Sequence, residues 1–265
     1  MEPSGKLAIL TGASRGIGRA LAIELAKSGC GLLLTALEDD ELSSLSNDLH
    51  SKFPISVATM AADLSNHESR KSLINWILNR KEPIDILINN AGLGYFGRFE
   101  DSEWNTIEKT IALNNSAFIH LTYELIPVLK KRPIAKIVNI SSGIARLPYP
   151  GLAVYGATKG FISSFSESLA SELAGSLISV LCFHPGFTMT SFIGSAGMDL
   201  QKVPRILLHS PEEVATQIVL AIRKDKLWAY SDFTTRLSAW FGALLPPHLK
   251  RSIFKNLFWR LPNAK

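Results

Sequence analysis

A chain of 265 residues can bury a full core as one large α/β domain or two small ones, and 46% hydrophobic with 19% charged residues is ordinary globular make-up. The net charge of +5 is local: six Lys/Arg and no Asp or Glu stand between Arg236 and Lys265, leaving 22 basic against 23 acidic groups elsewhere. The body therefore offers no charge argument for nucleic acid, and no apolar run approaches the ~18 residues of a membrane span.

Residues 7–10 read as a short buried strand, followed by a glycine-rich turn and an apolar-periodic helix over 20–27 that Gly29 should cap. A second strand is expected at 32–34, a second helix at 41–49, and a third strand over 55–60 that ends at Asp63. Residues 65–68 form a capping box for a third helix running to about residue 80, and 84–88 is the fourth strand. Two helices follow, over 102–111 and 114–130, then strand five at 135–140 and a long helix containing Tyr155 that reaches about residue 173. Strand six at 178–183 is broken by Pro185-Gly186. Ser210, with Pro211 at the first helical position and Glu213 three residues on, starts another helix, and a seventh strand falls near 227–230. Short apolar strands alternating with helices indicate α/β architecture: a doubly wound parallel sheet of about seven strands with helices on both faces. No repeat or linker divides residues 1–265, so a single domain is expected.

Two stretches carry chemistry. Gly12, Gly16 and Gly18 lie between the first strand and the first helix, spaced G-x-x-x-G-x-G. Glycines let the backbone approach a phosphate, and the helix start supplies free N–H groups and a positive dipole end. Alone this is equally a tight turn; on the first strand of a doubly wound sheet it favours dinucleotide binding. Further on, Tyr155 and Lys159 fall one helical turn apart on one face. A free tyrosine titrates near 10, and an adjacent cation favours the phenolate; reaching about 7 takes roughly 4 kcal/mol. As an isolated pair they are ordinary helix neighbours. The remaining motifs decide.

In order along the chain stand residues 11–18, the Asn89-Asn90-Ala91-Gly92 stretch, Asn114, Ser142, the Tyr155/Lys159 pair and Pro185-Gly186. This set closely resembles the short-chain dehydrogenase/reductase family, over residues from about 5 to 225. The resemblance implies a Rossmann fold and an NAD(P)-dependent oxidoreductase. It assigns Tyr155 as general acid/base, Lys159 as the group that lowers its pKa and binds the nicotinamide ribose, and Ser142 as the holder of the substrate oxygen. Family spacing selects Ser142 over Ser141. Asn114 resembles the asparagine that anchors a relay water, chosen over Asn115 because Thr122 follows eight residues later. Asn90, with Ala91 and Gly92, resembles the residue that braces the sheet beside the cofactor; a turn-forming role is the alternative. Pro185, Gly186 and Thr188 resemble the loop over the nicotinamide. His184 reads as a strand-end residue rather than a catalytic one, and no Cys/His/Asp cluster has metal-ligand spacing.

For the cofactor's other end, the implied set is Gly12, Ser14, Arg15, Gly16, Ile17 and Gly18 around the phosphates and Asp63-Leu64 against the adenine. The position that selects NAD falls at Ala36, and the usual arginine for a 2′-phosphate is Leu37. Arg15 remains, so NADP(H) is favoured over NAD(H). Glu38 to Asp40 are expected to begin the next helix.

Residues 187–209 are expected to form a substrate lid, with Phe192, Ile193, Met198, Val203, Ile206, Leu207 and Leu208. Together with Leu147, Pro148, Tyr149 and Pro150 they suggest an apolar pocket for a lipophilic ketone or aldehyde; a lid packing its own apolar residues is the simpler alternative. In the extension over 236–265, Leu249, Ile253, Leu257 and Leu261 recur every four residues, with Phe254 and Phe258 beside them and Lys250, Arg251, Lys255 and Arg260 opposite. Such a basic amphipathic helix packs on the body or a sister subunit, or rests on an anionic membrane. A homodimer or homotetramer is expected from the resemblance. Cys30 and Cys182 lie in apolar runs, and residues 1–6 lack a signal-peptide pattern, so the expected setting is the cytoplasm. Rival functions are a dehydratase or epimerase on the same scaffold, and a dinucleotide sensor without turnover. The intact Ser142, Tyr155 and Lys159 set favours redox chemistry.

Overall fold

The computed structural model describes residues 1–190 and 205–258. Seven parallel strands form one sheet in the order 3-2-1-4-5-6-7. They are β1 Leu7–Thr11, β2 Gly31–Ala36, β3 Val57–Ala61, β4 Ile86–Asn89, β5 Ala135–Ile140, β6 Ile178–His184 and, last, Trp228–Tyr230. Parallel neighbours require crossovers, and the helices that make them cover both faces.

Alternation along each strand builds the two layers. Ala8 and Leu10 of β1, Leu32 and Leu34 of β2, and Val138 and Ile140 of β5 join one core. It packs against α1 (Gly16–Lys27), α2 (Asp39–Lys52) and the helix Pro211–Arg223. Leu7, Ile9, Leu33, Ala135 and Ile137 face the other core, against α3 (His67–Leu78), α5 (Phe118–Leu129) and α6 (Ala153–Glu172). The sheet order reverses between β1 and β4, where a crevice opens at the strand ends.

Most expected ends hold. Gly29, at φ +74°, closes α1: its N–H donates to Ala26 and that of Cys30 to Leu25. Ser210 and Glu213 form the reciprocal capping box. Two expectations change. The cap of α3 is Asn66, whose Oδ1 accepts from Ser69 N at 3.0 Å, because Ser65 is drawn back to Asp63. The two helices expected over 102–130 are one helical run: α4 (Trp104–Ile111) passes through a π-helical turn, Ala112–Ala117, into α5. That wide turn holds Asn114. Unforeseen is a two-residue parallel pair, Phe187–Thr188 with Leu208–His209, which ties together the two ends of the expected lid. Phe192, Ile193, Met198 and Val203, and Arg260 and Leu261, lie outside the described residues, as do the side chains of Ile206, Lys255, Leu257 and Phe258.

Candidate active site

The glycine turn sits at the reversal of strand order. Gly12 has φ +66°, and a Cβ on Gly18 would lie 1.9 Å from the Gly12 carbonyl, so the turn closes only without side chains there. Asn90 braces it: Nδ2 donates to Thr11 O at 2.9 Å and Gly12 O at 3.1 Å. Thr11 Oγ1 accepts from the backbone N–H of both Asn90 and Ala91. The Asn90 amide is thereby spent on the turn. Its neighbour Asn89 joins Thr122 and Asn139 in a buried chain that locks β4 to β5 and α5.

Against this turn lies a cavity of about 770 Å³. Ser14, Arg15, Gly16, Ile17 and Gly18 line one end, and Ser142, Tyr155 and Lys159 another part of the same wall. Tyr155 is half-buried, and its side chain hydrogen-bonds Ser142. Ser142 Oγ also accepts from Ile144 N at 3.4 Å, fixing the hydroxyl at the end of β5. Burial pushes the Tyr155 phenol up to about 12, against the lowering pull of Ser142. Lys159 stands apart from that balance: its Nζ lies 5.7 Å from the Tyr155 ring centre and donates to Ile140 O at 2.9 Å. Burial instead moves Lys159 itself down to about 8.

Asn114 is buried, and its amide is fully engaged. It exchanges hydrogen bonds with the backbone of Leu93 at 2.8 and 2.9 Å and donates to Thr158 Oγ1 at 2.9 Å. The side chain thus joins the π-turn to the loop after β4 and to the Tyr155 helix. A Cβ on Gly92 would come 3.3 Å from Asn114 Oδ1 and 3.4 Å from Lys159 Nζ, so Gly92, Asn114 and Lys159 meet at one point. Asn115 reaches only the Thr158 carbonyl.

At the far end of the cavity stand Ala36, Leu37 and Glu38, with Asp63 and Leu64 beside them. Glu38 is the residue before α2, as expected, yet it also lines the wall, which spacing alone did not reveal. Arg15 Nε lies 2.6 Å from both carboxylate oxygens of Glu41. The bond to Arg15 holds Glu41 below the usual carboxylate range, and Glu41 raises Arg15 in turn. Asp63 Oδ1 accepts from Ser65 N and Oγ, bonds that outweigh burial and keep it low.

Pro185, Gly186 and Thr188 also line the cavity. Pro185 O accepts from Gly143 N at 2.8 Å, and Gly186 N donates to Ser231 Oγ at 2.8 Å, which sets this loop over Ser142. His184 is buried between the rings of Trp228 and Tyr230, with Nε2 3.0 Å from Ser163 Oγ; burial lowers it to about 4. It is a neutral strand-end residue, as expected. Residues not foreseen on the wall include Lys109, Thr234, Ser238 and Phe254. Phe254 belongs to the helix Pro247–Phe258 and packs on Tyr149 at 6.0 Å. Among the described residues no group of His, Cys, Asp and Glu could hold a metal ion.

The glycine cradle at the start of α1 and the polar set on α6 fit a nicotinamide dinucleotide, its phosphates on the helix N-terminus. Relatives agree. The family model of short chain dehydrogenases matches residues 6–200. The glycine betaine reductase ATRR of Emericella nidulans is 32% identical over 84% of this chain, which spans 18% of that protein's length. The 3-oxoacyl-(acyl-carrier-protein) reductase FabG of Haemophilus influenzae is 32% identical over 83% of the chain and 92% of its own length. A short-chain dehydrogenase from Sphingobium yanoikuyae, solved in complex with NADPH, superposes with a TM-score of 0.82 at 28% identity, covering 98% of both chains. The chain belongs to the short-chain dehydrogenase/reductase family of NAD(P)-dependent oxidoreductases acting on CH–OH and C=O groups.

Proposed function

We propose that the chain interconverts a lipophilic ketone or aldehyde and its alcohol, with NADP(H) preferred over NAD(H). The observation that carries this reading is the Ser142–Tyr155 hydrogen bond on the wall of the cavity that begins at the glycine turn. When bound, the nicotinamide supplies or accepts the hydride. Ser142 and Tyr155 donate hydrogen bonds to the substrate oxygen, and Tyr155 gives its proton as negative charge develops there. Burial keeps the phenol protonated but makes it a weaker acid, so its proton transfer depends on stabilisation of the phenolate. Lys159, an ammonium at neutral pH, stabilises the phenolate left behind. Asn114 positions the π-turn, the loop after β4 and the catalytic helix around that ammonium.

Leu147, Tyr149, Leu207 and Phe254 support an apolar substrate end, and residues 187–209, tied at both feet, act as its lid. Arg15 is the cation of the glycine turn available to a 2′-phosphate, although Glu41 already holds it. The test is NADPH and NADH oxidation against apolar and polar carbonyls. Tyr155→Phe should lower kcat about 10²–10⁴-fold while dinucleotide binding, read by fluorescence, stays unchanged. Equal rates in the variant would overturn the mechanism. Binding without turnover on any carbonyl would favour the sensor.

A further inference from the structure

The helix Phe233–Leu244 is turned apolar side out. Its buried residues are Thr235, Ala239 and Gly242, which share one face. At about 100° per residue, Phe233, Leu237, Trp240, Phe241 and Leu244 fall within an arc of about 100° on the opposite face. They are exposed: Phe233 by 71%, Trp240 by 59% and Leu244 by 62%. The inward face is small because the helix lies hard on the turn after β5. A Cβ on Gly242 would come 2.4 Å from the Leu147 side chain. The next helix, Pro247–Phe258, adds Leu249 and Ile253, also exposed.

Past the capping Asp232, the charged side chains described on these two helices have one sign. Arg236 and Arg251 are exposed and Lys250 is half-buried, and no Asp or Glu occurs from residue 236 to 265. Beside Phe233 a cavity of about 610 Å³ is lined by Lys224, Lys226 and Arg236. Among the described residues its one lining acid, Asp232, is engaged with His209, Ser231 and Thr235.

We propose that this face rests on an anionic lipid bilayer, the aromatic rings entering the headgroup region and the cations meeting lipid phosphates. Aromatic and aliphatic side chains ringed by Lys and Arg suit an interface that is apolar in depth and negative at its surface. A second copy related by a two-fold axis would instead press this face, with its Arg and Lys side chains, against the same face of its partner. Thr234, Thr235, Ser238 and Phe254 on the same two helices line the large cavity, so its apolar end would open close to the membrane. That last consequence alone rests on the proposed lipophilic substrate.

The experiment is sedimentation of the full chain with phosphatidylcholine vesicles, with and without phosphatidylserine. Two variants are compared: Phe233→Ser/Trp240→Ser/Phe241→Ser, and Arg236→Gln/Lys250→Gln/Arg251→Gln. Circular dichroism and dinucleotide binding verify that each keeps its fold. The wild-type chain should bind the anionic vesicles, and each variant should bind them at least about tenfold more weakly. No binding by the wild-type chain, or undiminished binding by the apolar variant, would overturn the proposal. So would analytical ultracentrifugation in which the apolar variant loses a dimer that never bound vesicles, since the face would then belong to a second copy. Oxidation of NADPH by a soluble carbonyl reads the catalytic reading separately, because neither variant touches Ser142, Tyr155 or Lys159.

Discussion

Arg15 and Tyr155 line the same cavity, and each is held by one side chain that sets its chemistry. For Arg15 that partner is Glu41, whose carboxylate occupies the guanidinium a 2′-phosphate would use. Glu41→Gln should therefore tighten NADPH binding by about tenfold and leave NADH nearly unchanged, measured by fluorescence titration. An equal shift for both dinucleotides would remove Arg15 from 2′-phosphate recognition. His184 makes a second case. Unfolded, it titrates near 6.5; folded, burial holds it at about 4. Between these values the unfolded chain binds more protons, so stability falls as pH drops from about 6.5 to about 4, by about 3 kcal/mol in total. Urea unfolding across that window should give a steeper loss for the wild-type chain than for His184→Gln.

At the scale of the element, the helix Phe233–Leu244 depends on its cap. Asp232 accepts from Thr235 N at 2.8 Å, from Thr235 Oγ1 at 2.6 Å and from His209 Nε2 at 2.8 Å, besides Ser231 and Thr234. One carboxylate thus fastens the helix Phe233–Leu244 to the short strand Leu208–His209. Burial would raise its pKa, but the hydroxyl and backbone donors outweigh burial and lower it. Asp232→Ala should cost about 1–2 kcal/mol at pH 7 by urea unfolding. A group with a depressed folded pKa contributes above its unfolded value, about 3.9, so the difference from wild type should shrink as pH falls below 4. The run from α4 to α5 carries the same lesson: its π-turn turns Asn114 toward Leu93 and Thr158, which two separate helices would not have required.

Across the whole molecule, the glycine-turn end of the cavity is built by the first half of the sheet, and the end proposed for the substrate draws on the C-terminal helices. Phe254 joins that wall from about 100 residues beyond Tyr155, by way of its contact with Tyr149. Phe254→Ala should raise KM for apolar carbonyls about tenfold or more, since burying such a ring is worth about 1.5–3 kcal/mol, while Kd for NADPH stays unchanged. A change in Kd alone would show that the ring belongs to the cofactor side.

The order of motifs, the glycine turn, the alternation of strands with helices and the pairing of Tyr155 with Lys159 on one helix face were all legible along the chain. Each depends on spacing over a few residues, which local backbone geometry dictates. Other features depend on packing between distant segments. These include the Arg15–Glu41 pair, the upward shift of Tyr155, Asn66 displacing Ser65 as a cap, and Phe254 on the cavity wall. A period of 3.6 residues can declare that Phe233, Leu237, Trp240, Phe241 and Leu244 share a face. Whether that face turns inward or outward was decided by the fold, which left room against the turn after β5 only for Thr235, Ala239 and Gly242.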